Sequence, residues 1–286
     1  MTYKYVDLSL ASGGDGSSGN PWGLSNFFSE LQPGGGFSDD TTFRLKGSGT
    51  LTTTNASAQL KITNNYGHSI VIESWEDTPA KLVLETLITN GASHNIVNIP
   101  LPGPGCGCYG ITLKRFLIES KVTVSSGSIN VFTLSDIGEN GGHYTTTYEN
   151  MCIVANLDTT PTWAHSGIFG GEHWDISIKG CTVANVGVGV IPNVCCPAPG
   201  TTVVTIDSIC VEGKFKYLFY FDPAAGSLSA NYDYMALYND SEYLGVYDTG
   251  SQETATPGAH NLLNAGSGSQ IKNITDILSM SLPDDL

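Results

Sequence analysis

From residue 41 onward the chain alternates apolar and polar positions in short bursts. TTFRLKG, AQLKITNN, HSIVIESW, AKLVLETLI, HNIVNIPL, YGITLKRFLIES, KVTVSS, SINVFTLSD and NMCIVANL follow one another. WDISIKGCTVANV, GVGVIPNV, TTVVTIDSICVEG and KYLFYFD come next. Each is about strand length, rich in Val, Ile and Thr, and bounded by Gly, Asn, Asp or Pro. No helical pattern separates them, which argues against βαβ units and for an all-β fold. The exception is NPWGLSNFFSELQPGGG near the start. Asn20 fits an N-cap, Pro21 the first helical position, and Gly34 the residue past the end. Trp22, Leu24, Phe27, Phe28 and Leu31 recur at near-helical spacing. The spacing predicts one short amphipathic helix, delivered by the glycine-rich loop SGGDGSSGNPWGL and laid over an apolar end of the β structure.

Two architectures fit so many short strands: a sandwich or jelly roll, and a solenoid whose turns each contribute two or three strands. A recurring phrase favours the solenoid. ITLKRFLIES, ISIKGCTVAN and VTIDSICVEG share the shape I-x-[LIV]-[KD]-x-[FC]-x-[IV], which sets apolar residues inward on both sides of a bend and stacks them on the next turn.

These phrases resemble turns of right-handed parallel β-helix proteins of the pectate-lyase-like group. The opening residues strengthen the likeness. SGGDGSSGNPWGLSNFFSELQPGGGFSDDTTFRLKGSGTL is similar to that group's N-terminal lead-in, a G-x-D-G-S-x-x-N-P loop, a capping helix, a PG turn and a strand ending in KG. The likeness runs from residue 5 to about residue 275 and implies one structural domain. Residues 1–40 form its opening loop and capping helix, and residues 41–286 its β-helix turns with a tyrosine-rich C-terminal part. The group holds polysaccharide lyases, hydrolases, phage tailspikes and non-catalytic virion proteins, so the fold leaves function open.

Composition narrows the functions. The chain has 286 residues, 12 Lys and Arg against 27 Asp and Glu, and a formal net charge of −15. A nucleic-acid binder needs a basic face, and between Lys216 and Lys272 there is no Lys or Arg. No apolar run is long enough to span a membrane. MTYKYVDLSL lacks the apolar core of a secretory signal, so synthesis in the cytosol or non-classical export is expected. The Asn-x-Ser/Thr triplets NAS, NDS and NIT are discounted as glycosylation sites for the same reason. The seven cysteines, Cys106, Cys108, Cys152, Cys181, Cys195, Cys196 and Cys210, are an odd number with no zinc-type spacing. Most are expected to be small buried residues, with a Cys106–Cys108 or Cys195–Cys196 bridge as the alternative. No metal and no cofactor is expected.

Candidate chemistry is sparse. By resemblance, a lyase would set a basic residue beside calcium-binding carboxylates. Lys114 and Arg115 are the only basic pair in a recurring phrase, and adjacent strand residues are expected to point to opposite faces. A hydrolase would need two carboxylates roughly 5–10 Å apart. Asp136 with Glu139, Glu172 with Asp175, and Asp207 with Glu212 are candidates whose ordinary reading is solvated loop edge. GGEHWD, 170–175, is the most crowded spot, either an active-site or sugar-binding edge or a turn anchored by Trp174. Residues 216–248 hold seven of the 13 tyrosines, among them Tyr220, Tyr232, Tyr234, Tyr238 and Tyr243, interleaved with carboxylates. Such a stretch fits a protein interface, a stacked tyrosine ladder or a glycan site.

By resemblance, the leading expectation is a non-enzymatic structural protein of a tailed-bacteriophage virion. A capsid decoration or cement protein fits best: homotrimeric, made in the host cytoplasm, with the major capsid protein or another virion protein as partner. The alternative is a tail-associated receptor-binding spike or polysaccharide depolymerase that grips a host glycan. A free carbohydrate-binding β-helix is the third. Neither a nucleic-acid nor a membrane partner is expected.

Overall fold

The computed structural model describes residues 1–31, 37–55, 60–62, 68–90, 92–95, 97–98, 110–135, 144–162, 166–171, 174–197, 203–220, 229–239, 246–247, 254–257 and 261–265. The chain opens with β1 (Thr2–Asp7), α1 (Leu24–Glu30), β2 (Thr41–Lys46) and β3 (Ser48–Thr54). Then come β4 (Leu60–Lys61), β5 (Ile70–Ser74), β6 (Lys81–Ile88), β7 (Ala92–Asn95) and β8 (Val97–Asn98). The middle holds β9 (Ile111–Lys114), β10 (Leu117–Val124), β11 (Ile129–Ser135), β12 (Tyr144–Glu149), β13 (Cys152–Leu157) and β14 (Gly167–Gly171). The last part holds β15 (Trp174–Asn185), β16 (Ile191–Pro197), β17 (Val203–Gly213), β18 (Phe215–Tyr220) and β19 (Ser229–Asn239). It ends with β20 (Val246–Tyr247), β21 (Thr254–Pro257) and β22 (Asn261–Ala265).

The fold is all-β, and every strand ladder among the described residues is parallel. One 14-stranded sheet contains two rows, β1-β2-β5-β9-β12 and β13-β10-β6-β3. They meet at β15, whose first half pairs with β12 and whose second half pairs with β13. A six-stranded sheet runs β20-β18-β16-β14-β11-β7. The chain therefore visits the first row, the second row and the six-stranded sheet in turn: β9, β10, β11, then β12, β13, β14. In β15, β17 and β19 one bent strand spans both rows.

The phrase seen in the sequence is this order written in residues. Leu113 lies beside Tyr148, Tyr148 beside Ile178, and Ile178 beside Ile206. Ile118 lies beside Ile153, Ile153 beside Val183, and Val183 beside Val211. All eight are buried. In-register stacking of side chains fully removed from water supplies the main stabilisation, on the order of 2 kcal/mol for each large apolar residue.

Both rows meet at a bend, and the bend has a fixed backbone. Arg115, Asn150 and Ser208 adopt left-handed conformations, with φ of 58°, 52° and 66°. Gly180 takes φ 60° at the same place, and the Asn150 carboxamide oxygen fills the space that a Cβ on Gly180 would need. One left-handed residue turns the strand and restarts its alternation, so both halves bury their apolar positions.

The opening loop seals one edge. The free side of β1 is covered by the returning chain: Tyr5 N–H donates to the Gly16 carbonyl, Trp22 N–H to the Tyr5 carbonyl and Asp7 N–H to the Trp22 carbonyl. A Cβ on Gly16 would lie 2.8 Å from the Trp22 indole, so glycine is required there. The helix starts later than the sequence predicts. Its N-cap is Gly23, with no side-chain cap, because Asn20 and Pro21 belong to the turn that feeds Trp22 into its bridge with Val6. Burial of the helix against the end of the sheet follows the expectation: Phe27 and Leu31 are fully buried, and the Phe27 ring meets Phe43 at 5.6 Å, edge to face. Gly34, expected past the helix end, lies outside the described residues.

Candidate functional site

The outward positions of the first row form a column of charge. Arg44 lies beside Glu73, Glu73 beside Lys114, Lys114 beside Glu149, and Glu149 beside Lys179. Lys179 lies beside Asp207, whose register partner on β19 is Asp233. From Arg44 to Asp207 the sign alternates across neighbouring strands, which replaces repulsion with pairing. Arg44 Nε meets Glu73 Oε1 at 3.3 Å, and Lys114 Nζ meets Glu149 Oε1 at 3.2 Å. Burial lowers the Arg44 pKa, but the Tyr5 hydroxyl and Glu73 outweigh it, and the guanidinium is held more firmly protonated than usual. The second row repeats the device, with Lys81 to Glu119 at 2.6 Å and Lys121 to Glu85 at 3.2 Å.

Lys114 and Arg115 do not point to opposite faces as expected. Arg115 occupies the left-handed bend, outside the strand alternation, and its Nη2 donates to the Ser74 carbonyl at 2.9 Å and lies 3.6 Å from Glu73 Oε2. Both cations therefore lean on outward carboxylates of the same column.

One bend departs from the others. Between β5 and β6 the single left-handed residue is replaced by Trp75, Glu76, Asp77, Thr78, Pro79 and Ala80. The Ser74 hydroxyl accepts from Ala80 N–H at 2.8 Å and closes the base of this excursion. Against it lies a surface cavity of about 490 Å3, lined by Trp75, Glu76, Asp77, Arg115, Phe116 and Asn150 among others. The Trp75 indole is held in place by Tyr5, edge-on at 4.9 Å, and by the Lys46 ammonium 5.4 Å from the ring. Lys46 also sits 3.7 Å from Asp7 and 3.8 Å from Glu76. Glu76 and Asp77 are exposed.

Sequence reasoning misses this cavity. The available signal is the polar run EDTP between the strands HSIVIESW and AKLVLETLI, longer than the single residue that separates ITLK from FLIE.

The expected site residues are dispersed. Trp174 opens β15 beside Tyr144 of β12. Tyr220 ends β18 in the six-stranded sheet, beside Tyr247. Tyr232, Tyr234 and Tyr238 lie on β19 of the other sheet. Tyr232 holds the register position next to buried Ile206, Tyr238 the position next to exposed Glu212, and Tyr234 the bend. Tyr243, Asp136, Glu139, Glu172 and His173 lie outside the described residues, as do Cys106 and Cys108. Asp175 accepts from Val203 N–H at 3.0 Å, a cap on the next strand. Asp207 and Glu212 stand on opposite sides of the Ser208 bend.

Cys181, Cys195 and Cys196 are buried, and Cys152 and Cys210 half-buried. Cys195 is a thiol, so the Cys195–Cys196 bridge does not form; successive strand side chains leave on opposite faces. Burial pushes the Cys181 pKa up to about 11 and that of Cys195 higher still. Among the described residues no group of three or more His, Cys, Asp or Glu could hold a metal ion, and no helix is long and apolar enough to cross a membrane. In comparisons with known proteins, no family model, no curated protein and no solved structure matches the chain.

Proposed function

We propose that the chain is a right-handed parallel β-helix and a structural protein of a tailed-bacteriophage virion, a decoration or cement protein of the head. The solenoid reading rests on the repeating order of visits to two rows and a second sheet, with every ladder among the described residues parallel. The observation that carries the structural role is the charged column. The cations of its paired stretch are tied to neighbouring carboxylates, which makes a stiff outer face instead of a set of poised acids and bases. The lead-in loop and α1 cover the β1 edge, so growth by strand addition is blocked there. A homotrimer would then associate through other faces. With net charge −15, the fitting partner is a basic face of the major capsid protein or another virion protein. Antibody-labelled electron microscopy of particles tests this. Label spread over the head supports it, and label confined to the tail tip overturns it.

The rival reading is a tail-associated spike or depolymerase that holds a host polysaccharide. The observation favouring it is the cavity at Trp75, whose lining joins an aromatic ring to carboxylates, a guanidinium and a carboxamide. Release of reducing ends from host surface glycan would establish the enzyme form of this rival.

A further inference from the structure

We infer that the excursion at residues 75–80 and the bend beside it form a binding site for a neutral oligosaccharide. The inference takes up the binding half of the rival reading and is independent of where on a particle the protein sits. In a stack whose bends at Gly47, Arg115, Asn150, Gly180 and Ser208 each need one left-handed residue, an excursion of this length is not required by the fold. Insertions in repeating architectures gather on faces that bind. This one builds a cavity of about 490 Å3, a size typical of small-ligand sites.

The lining chooses the ligand class. Asp77 and Glu76 only accept hydrogen bonds, Arg115 only donates, and the Asn150 carboxamide does both. Hydroxyls on adjacent carbons, each able to donate and accept, satisfy such a set. The C–H face of a sugar ring suits an aromatic wall, and Trp75 is held rigidly by Tyr5 and Lys46. Rigid lining lowers the entropy lost on binding. Charge excludes uronates. Two exposed carboxylates face the cavity, and Arg115 already has Glu73 3.6 Å away. A ligand carboxylate would meet repulsion not offset by a free cation in this lining.

The test is saturation-transfer NMR and calorimetry on the full chain. Neutral hexasaccharides of glucose, galactose and mannose are compared with hexagalacturonate and with tetra-arginine. Variants are Trp75→Phe, Asp77→Asn and Arg115→Lys, each checked for unchanged circular dichroism. The expected result is binding of at least one neutral sugar, weakened about tenfold by Asp77→Asn, the equivalent of one lost charged hydrogen bond, with weaker or no hexagalacturonate binding. No neutral sugar binding at millimolar concentration overturns the proposal. Tighter binding of hexagalacturonate or tetra-arginine, or neutral binding that none of the three variants changes, overturns it equally.

Discussion

Two bends of the same sheet make opposite use of the chain. At Gly180 one residue with φ 60° turns β15 from the first row into the second, and Asn150 packs against it. At residues 75–80 the same junction takes six residues and leaves a cavity. The first bend preserves register, and its residues are fixed by backbone geometry. The second is free of that constraint, so its residues can be selected for what they touch. Regularity in this molecule marks what holds the fold, and the interruption marks where chemistry can be placed.

The comparison predicts a graded series of effects, beginning in the stacked interior. Ile178→Ala removes a fully buried side chain between Tyr148 and Ile206. It should lower stability by about 3–4 kcal/mol, read from the denaturant midpoint. Next is Gly180→Val, which forces a β-branched residue into the left-handed region and against Asn150; a loss of about 2 kcal/mol or more is expected. At the neighbouring turn Asn150→Gly removes the left-handed penalty and should change stability by less than about 1 kcal/mol. If Gly180→Val were as mild as Asn150→Gly, the fixed-bend account would fail. In the excursion Asp77→Asn should stay within about 0.5 kcal/mol, since Asp77 is exposed on the surface.

Alkaline stability gives the most specific signal. Cys181 is raised by burial to about 11 from its ordinary 9.0. The folded state therefore favours the neutral thiol, and this contribution is complete below about pH 9. It is lost as the pH rises towards 11, because the unfolded chain ionises first. Cys181→Ala should flatten the stability curve across that window. With thiol reagents at pH 8, half-buried Cys152 and Cys210 should react before Cys181 and Cys195.

Much of the fold is legible because stacking leaves a repeated phrase. ITLKRFLIES, ISIKGCTVAN and VTIDSICVEG share register columns: Ile176 lies beside Val204, and Ile178 beside Ile206. The helix start is misleading because Asn20 and Pro21 carry helix-start chemistry, while the hydrogen bonds of Trp22 to β1 take precedence. Arg115 defies period-two alternation because that rule assumes an unbroken strand, and a left-handed residue resets it. The tyrosines show a further limit. Tyr220 and Tyr232 are close in sequence yet lie in different sheets, and composition carries no information on which sheet a strand joins. The cavity stays hidden because EDTP has the composition of any turn; only its excess length against the other bends gives it meaning.

One column of charge arises from sequence-distant strands only if β12 and β15 hold this register. Paired cysteines on these adjacent parallel strands probe it. Glu149→Cys with Lys179→Cys places both at partnered Cα positions, a separation suited to a disulfide. Glu149→Cys with Ser177→Cys is the offset control, since Ser177 partners Thr147. After mild oxidation, peptide mass spectrometry should find the two introduced thiols of the first pair crosslinked in high yield, and little crosslink from the control. Equal crosslinking of both pairs, or preference for the control, would contradict the register and with it the column.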